Sequence, residues 1–290
     1  GARMRPPWKA DRSRMRASVT RPLLFLALAL SAAALPASAA EPYRVTPSDL
    51  HLEHLRPAQL SYLVYMHAGP GSGIKRPVLA SFSVSRQTVD GTPAWVITHA
   101  WEDPDGTVHT ARTVHAASDI ATLSQDATWV RSGQRMSSHV VPARGEGRAE
   151  GEWPEAARQC LEAGFQAMQD GWWMNWHSDL TLLPLLPYEK GGTLRIRLFD
   201  VGMPAPLDVD YTVLGERTLA GADGRRYDCW LVETESGNPG GGAFQRFWID
   251  KASRVVVKEE DNFNGQYRSK YLLAVPVSLE FPAPEDGKQG

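Results

Sequence analysis

Thr193–Phe199 (TLRIRLF) and Leu207–Leu214 (LDVDYTVL) are followed by Arg226–Glu233 (RYDCWLVE), Phe244–Ile249 (FQRFWI), Arg254–Glu260 (RVVVKEE) and Gln266–Leu273 (QYRSKYLL). This stretch decides the fold. Leu194, Ile196 and Leu198 point one way and Arg195 and Arg197 the other, the period of two that marks a half-buried strand. Leu207, Val209, Tyr211 and Val213 repeat the pattern. Asp223-Gly224, the Gly237–Gly242 run, Asp250–Ser253 and Asn262–Gly265 separate the segments with turn-forming residues.

Upstream, Leu60–Met66, Val78–Val84, Trp95–Trp101 and Val108–His115 alternate in the same way. The glycine-rich stretch Gly69–Gly73, then Asp90-Gly91 and Asp105-Gly106, supply the turns of an antiparallel meander. Ala127–Val130 and Ser137–Val141 read as two further strands, and Gly145–Gly151 as a charged, glycine-rich loop. Glu41–Pro57 reads as an approach segment with a short helix from Ser48 to Leu55. Helix-favouring composition is confined to Glu155–Gln169, with Asn175 or Ser178 capping a second short helix that Pro184 and Pro187 keep to a turn or two. About ten strands with helix only in the middle give a mainly β (α+β) fold. The expected form is a curved antiparallel sheet or half-open β-barrel covered by the short central helical segment.

The first forty residues stand apart. Arg16 and Arg21, the apolar run Leu23–Leu30 and Ala37-Ser38-Ala39 form a secretory leader, with cleavage expected near Ala39 or Ala40. The apolar run falls short of the about 20 residues of a membrane span. No Cys follows for lipid attachment, and no second long apolar run follows. The expected organisation is a leader to residue 40, one β-rich domain over 41–275 and a disordered tail over 276–290. Residues 1–40 hold seven of the 31 Lys/Arg and one of the 33 Asp/Glu, leaving 24 basic and 32 acidic residues, a net of −8. That balance argues against nucleic acid and anionic lipid surfaces. Cys160 and Cys229 are the two cysteines. In an exported protein they form either one disulfide or two buried thiols.

From Leu185-Leu186-Pro187 and Gly191 onward, the order of strand, Tyr211–Leu214, Tyr227–Glu233, Phe247-Trp248-Ile249-Asp250 and Val255–Glu259 resembles a periplasmic domain-of-unknown-function family, DUF3108. Asn175-Trp176-His177 is similar to it as well. The resemblance covers residues 175–273. It implies a fold like the half-open barrels of the LolA/LolB lipoprotein carriers, with apolar side chains on the concave face, and it transfers no catalytic residue.

Chemical motifs are sparse, and no catalytic residue, metal site or cofactor is expected. His51 and His54 stand three apart, not the four of a zincin helix. His109 and His115 share a strand face but lie about 20 Å apart, too far to hold one ion. His177, Ser178 and Asp179 are consecutive, whereas a hydrolytic triad is assembled from separated positions. The aromatic cluster Trp172, Trp173 and Trp176 has two readings, a core plug or the wall of an apolar cavity. In the second, Asn175, His177, Arg195 and Arg197 supply polar contacts to a lipid or acyl ligand. The expectation is an exported periplasmic binder of an apolar or amphiphilic ligand without chemistry. The alternatives are an envelope scaffold that meets a protein partner with a filled core, and an envelope hydrolase.

Overall fold

All ten strands read from the alternation form, in a computed structural model that describes residues 40–68, 73, 75–102, 106–221, 224–235, 243–263 and 266–273. The leader up to Ala39, residues 69–72, Asp105, Asp223, the Gly237–Gly242 connection, 264–265 and the tail from 276 lie outside the described residues.

The short β1 (Tyr43–Arg44) comes first and stands outside the N-terminal meander, which consists of β2 (Ala58–His67), β3 (Lys75–Val89), β4 (Thr92–Glu102), β5 (Val108–Ala116), β6 (Thr122–Arg131), β7 (Gln134–Val141) and β8 (Glu146–Gly151). Helix α1 (Glu155–Ala167), the short β9 (Met174–Asn175) and the single turn α2 (Asp179–Leu182) follow. The second meander is β10 (Thr193–Phe199), β11 (Leu207–Ala220), β12 (Arg226–Glu235), β13 (Phe244–Asp250), β14 (Val256–Phe263) and β15 (Gln266–Leu272). Asp90 and Gly91 both adopt positive φ, 50° and 78°, at the β3–β4 corner, the mirror-image turn that Asp-Gly favours.

One sheet contains both meanders, in the order β1-β10-β11-β12-β13-β14-β15-β2-β3-β4-β5-β6-β7-β8. The join is β15 on β2, antiparallel, with Leu272 opposite Tyr62 and Lys270 opposite Val64. No pairing between β8 and β10 closes the described sheet. Instead, Leu161 and Phe165 of α1 pack with Val140 of β7, Met168, Trp173 and Phe199 of β10. The helix therefore bridges the two ends of an open, curved sheet.

The concave face carries the expected alternation: Leu60, Tyr62 and Val64; Leu194, Ile196 and Leu198; Phe247 and Ile249. The segment 174–188 packs into this face, burying Met174, Leu180, Leu182, Leu183, Leu185, Leu186 and Tyr188. Each such side chain contributes about 1.5–3 kcal/mol by leaving water. Asn175 fixes the segment. Its side-chain oxygen accepts from the His177 N–H at 2.9 Å, capping the following turn. Its amide donates to Gln125 Oε1 at 2.7 Å and Thr122 Oγ1 at 3.2 Å.

Three sequence expectations are corrected. Gly145–Gly151 is no loop, since Glu146–Gly151 is strand β8, paired with β7. Its glycines serve close approach: a Cβ on Gly147 would stand 2.2 Å from the Phe165 ring, so only glycine lets α1 lie there. Ser48–Leu55 forms two separate 3-10 turns, Pro47–Asp49 and Leu52–His54, instead of one helix. The His51 N–H bonds the Leu185 carbonyl at 2.9 Å, which takes it out of any helical ladder. Strand β11 continues past Leu214 to Ala220 through an irregularity at Gly215, whose φ is 129°.

Candidate functional site

Residues facing inward on β3 to β6 stack across the sheet. Ala80, Trp101, His109 and Trp129 stand opposite one another in turn, and Phe82 faces His99. With Trp176, His177 and Leu180 from the central segment they wall a cavity of about 320 Å³. Asp179, Asp200, Gln245, Arg268 and Lys270 supply its polar surface.

The polar floor is a buried charge cluster on β14 and β15. Glu259 is opposite Lys270 and Asp261 opposite Arg268. Lys270 donates to Glu259 at 2.6 Å, and Arg268 is paired with Asp261. Burial pushes the Glu259 carboxyl well above its ordinary range, with Lys270 pulling the other way. Burial also raises Asp179. Burial acts upward on Asp261 too, but Lys270, a hydrogen bond from Glu259, and Arg268 outweigh it and hold it low. The direct bonds explain the split: the acid with the most cationic contact keeps its charge.

Three histidines gather on the other side of the cavity. His109 Nε2 lies 3.1 Å from His177 Nε2. His109 Nδ1 bonds the Thr128 carbonyl at 2.9 Å, and His177 Nδ1 stands 3.3 Å from an Asp200 carboxylate oxygen. The His99 ring stacks on His177 with centroids 4.4 Å apart, and His109 stacks on Trp129. Burial, then the neighbouring histidines, lowers His99 to about 2. The same causes lower His109 to about 3. These rings are neutral at physiological pH, the form in which imidazole binds metals. The three offer one ring nitrogen each within 4.8 Å of the others. His51, Glu53 and His54 make a second such group at the surface.

His115 is separate. It bonds the Ile120 carbonyl at 3.0 Å and Ser178 Oγ at 3.2 Å and is wholly buried, a satisfied core histidine. The sequence-based separation of His109 from His115 holds.

Of the ligand candidates from the sequence, Trp176 and His177 line the cavity. The others stand elsewhere. Trp173 is core, donating to the Met168 carbonyl at 2.7 Å and packed edge-on against Phe199. Trp172 donates to the Asp119 carbonyl at 3.1 Å. Asn175 is the buried pin described above. Arg195 and Arg197 face outward: Arg195 forms a two-pronged pair with Asp210, and Arg197 lies 4.0 Å from Asp170. They point away because alternation gave the inner face to Leu194, Ile196 and Leu198.

Of the two readings of the cysteines, the structure has the unbonded one. Cys160 and Cys229 are free thiols, Cys160 on α1 and Cys229 on β12 in an apolar patch with Tyr227 and Val257. Burial pushes the Cys229 thiol up to about 12.

The family model "Protein of unknown function (DUF3108)" matches residues 61–271, most of the chain. The chain belongs to the DUF3108 family. No curated protein is similar to it in sequence. Among solved structures, this DUF3108 chain is similar to a beta-barrel-like protein of DUF1849 from Brucella abortus, at 8% identity and a TM-score of 0.47, over 75% of this chain and 96% of that one. A putative outer membrane lipoprotein-sorting protein domain from Vibrio parahaemolyticus matches at 11% identity and a TM-score of 0.24, over 83% and 97%. A LolA superfamily protein from Nitrosomonas europaea matches at 8% identity and a TM-score of 0.20, over 82% and 96%. Scores this low say nothing about what the DUF3108 chain binds. Among the described residues no helix is long and apolar enough to cross a membrane.

Proposed function

We propose that this DUF3108 chain is an exported periplasmic protein that binds a small amphiphile in its half-open barrel and does no chemistry on it. The leader pattern of residues 16–40 supports export. What carries the binding reading is the cavity itself, with Phe82, Trp101, Trp129 and Trp176 on its apolar wall and Gln245, Arg268 and Lys270 on its polar floor. An apolar wall with a few placed polar groups is the usual composition of a small-molecule site. An envelope scaffold with a filled core needs no such space.

Its size narrows the ligand. A volume of about 320 Å³ is at the lower end of the ~300–1,000 Å³ typical of ligand pockets. One short chain or one ring system fits; a three-chained lipoprotein anchor does not. The test is native mass spectrometry of the protein taken from a periplasmic extract without detergent. The expected result is a discrete added mass that is lost on denaturation. Trp176→Ala should weaken retention of that mass more than it lowers the melting temperature. A clean apo mass, or equal retention by mutant and wild type, would sink the proposal.

A further inference from the structure

We infer that His99, His109 and His177 form a transition-metal site of the zinc class, with its remaining coordination position open to the cavity. His109 Nδ1 is 2.9 Å from the Thr128 carbonyl, which only accepts, so Nδ1 carries the proton and Nε2 is a bare lone pair. His177 Nδ1 stands 3.3 Å from an Asp200 oxygen that accepts no hydrogen bond among the described residues. The two Nε2 atoms face each other at 3.1 Å, a spacing that either one proton on His177 Nε2 or one cation between the two nitrogens satisfies.

The spacing suits a metal ion. Zinc–nitrogen bonds of about 2.0–2.1 Å in tetrahedral arrangement put two ligand atoms about 3.3 Å apart. His99 supplies the third ligand. Its Nε2 is buried without a hydrogen-bond partner among the described residues, and its ring touches both other histidines. The three nitrogens lie within 4.8 Å, somewhat wider than three bonds to one ion allow. Binding would therefore require His99 to turn about χ2, a soft torsion, out of its stack on His177.

The outer shell is in place too. A carbonyl on one ligand histidine and a carboxylate on another is the arrangement that orients metal-bound imidazoles. Three imidazole nitrogen donors favour zinc, copper or cobalt over magnesium and calcium, which prefer oxygen. All three histidines line the cavity, so the free position points at whatever the cavity holds. This inference stands whether or not that is an amphiphile. The surface group is a poorer site: His51 is already held by Glu189 at 2.6 Å and Glu53 at 3.0 Å.

The experiment is calorimetric titration of the chelator-stripped full chain with Zn²⁺, and with Co²⁺ followed by visible absorption. One equivalent should bind, with the intense d–d bands of a four- or five-coordinate nitrogen site. Asp200→Asn should weaken binding by about 10–100-fold, and His99→Ala and His177→Gln by more. His51→Ala should bind as wild type does. The wild-type cobalt spectrum needs no variant, so a mutant that fails to fold leaves the test intact. Absence of uptake by the wild-type chain would overturn the inference. So would binding that survives loss of both His99 and His177, or that disappears with His51.

Discussion

Replacing Lys270 with Met removes the partner of a carboxylate that has no access to water. Glu259 is wholly buried and Lys270 is 7% exposed, with 2.6 Å between nitrogen and oxygen. Breaking such a pair by deleting one side costs about 3–5 kcal/mol, because the remaining charge is left unpaired in low dielectric. For a folded body of this size each kcal/mol moves the melting temperature by about 2–4 °C, so the expected loss is about 6–20 °C. The loss should depend on pH. Burial already raises the folded-state pKa of Glu259 above its unfolded value, and removing Lys270 raises it further. A raised acid means that the folded state holds the extra proton, so this group costs stability as pH rises through the window above its ordinary value. The difference between Lys270→Met and wild type should therefore shrink as pH falls towards about 4.5, the ordinary carboxyl range. Adding Glu259→Gln should recover most of the loss, since the carboxylate facing the lost cation is then neutral and Asp261 keeps Arg268. Urea denaturation followed by tryptophan fluorescence, at constant m-value, measures all of this. A single mutant within about 1 kcal/mol of wild type at pH 8 would place it among ordinary exposed pairs and refute the reasoning.

Two other changes report on features that the sequence misled about. Gly147→Ala sets a Cβ 2.2 Å from the Phe165 ring. It should destabilise by about 1–3 kcal/mol, the usual cost of overpacking, and a melting temperature unchanged from wild type would show that α1 does not lie on β8. For the thiols, an aromatic disulfide reagent should titrate one group in the native protein, the half-buried Cys160, and two after unfolding. A count of zero under both conditions would restore the disulfide.

The fold was legible because alternation survives wherever one sheet face is apolar. Leu194, Ile196 and Leu198 could belong only to an inward face. Strand β8 was hidden because Gly147 and Gly151 carry no side chain to alternate, and glycine reads as loop unless the partner that needs the space is known. The cavity was harder still. Its floor residues Arg268 and Lys270 are paired with Asp261 and Glu259 of Val256–Phe263, where Lys258 and Glu260 on one face and Glu259 and Asp261 on the other make both faces look solvated. Its histidines lie at 99, 109 and 177, too far apart in sequence for any short motif. One signal was available. The pairing of β4 with β5 sets Trp101 opposite His109, which makes His99 and His109 diagonal neighbours on one face. His177 could not have been added without knowing that segment 174–188 enters the barrel. The eye went to Trp172 and Trp173 because aromatics attract a binding reading, yet both indole N–H groups are spent on backbone carbonyls.

The join of β15 to β2 has a consequence for how the molecule comes into being. Tyr62 is made early and its partner Leu272 late, so a chain emerging from the ribosome carries β2 with one open edge until the other strands of the sheet exist. Pairings of such long range are slow to nucleate, and an unpaired edge is where chains associate with one another. Arg268 and Lys270 arrive on that same last strand. Until it docks, Glu259 and Asp261 have no cations and favour staying in water. Completion of the sheet and neutralisation of the cavity floor are thus one event, and a chain truncated before β15 loses both together.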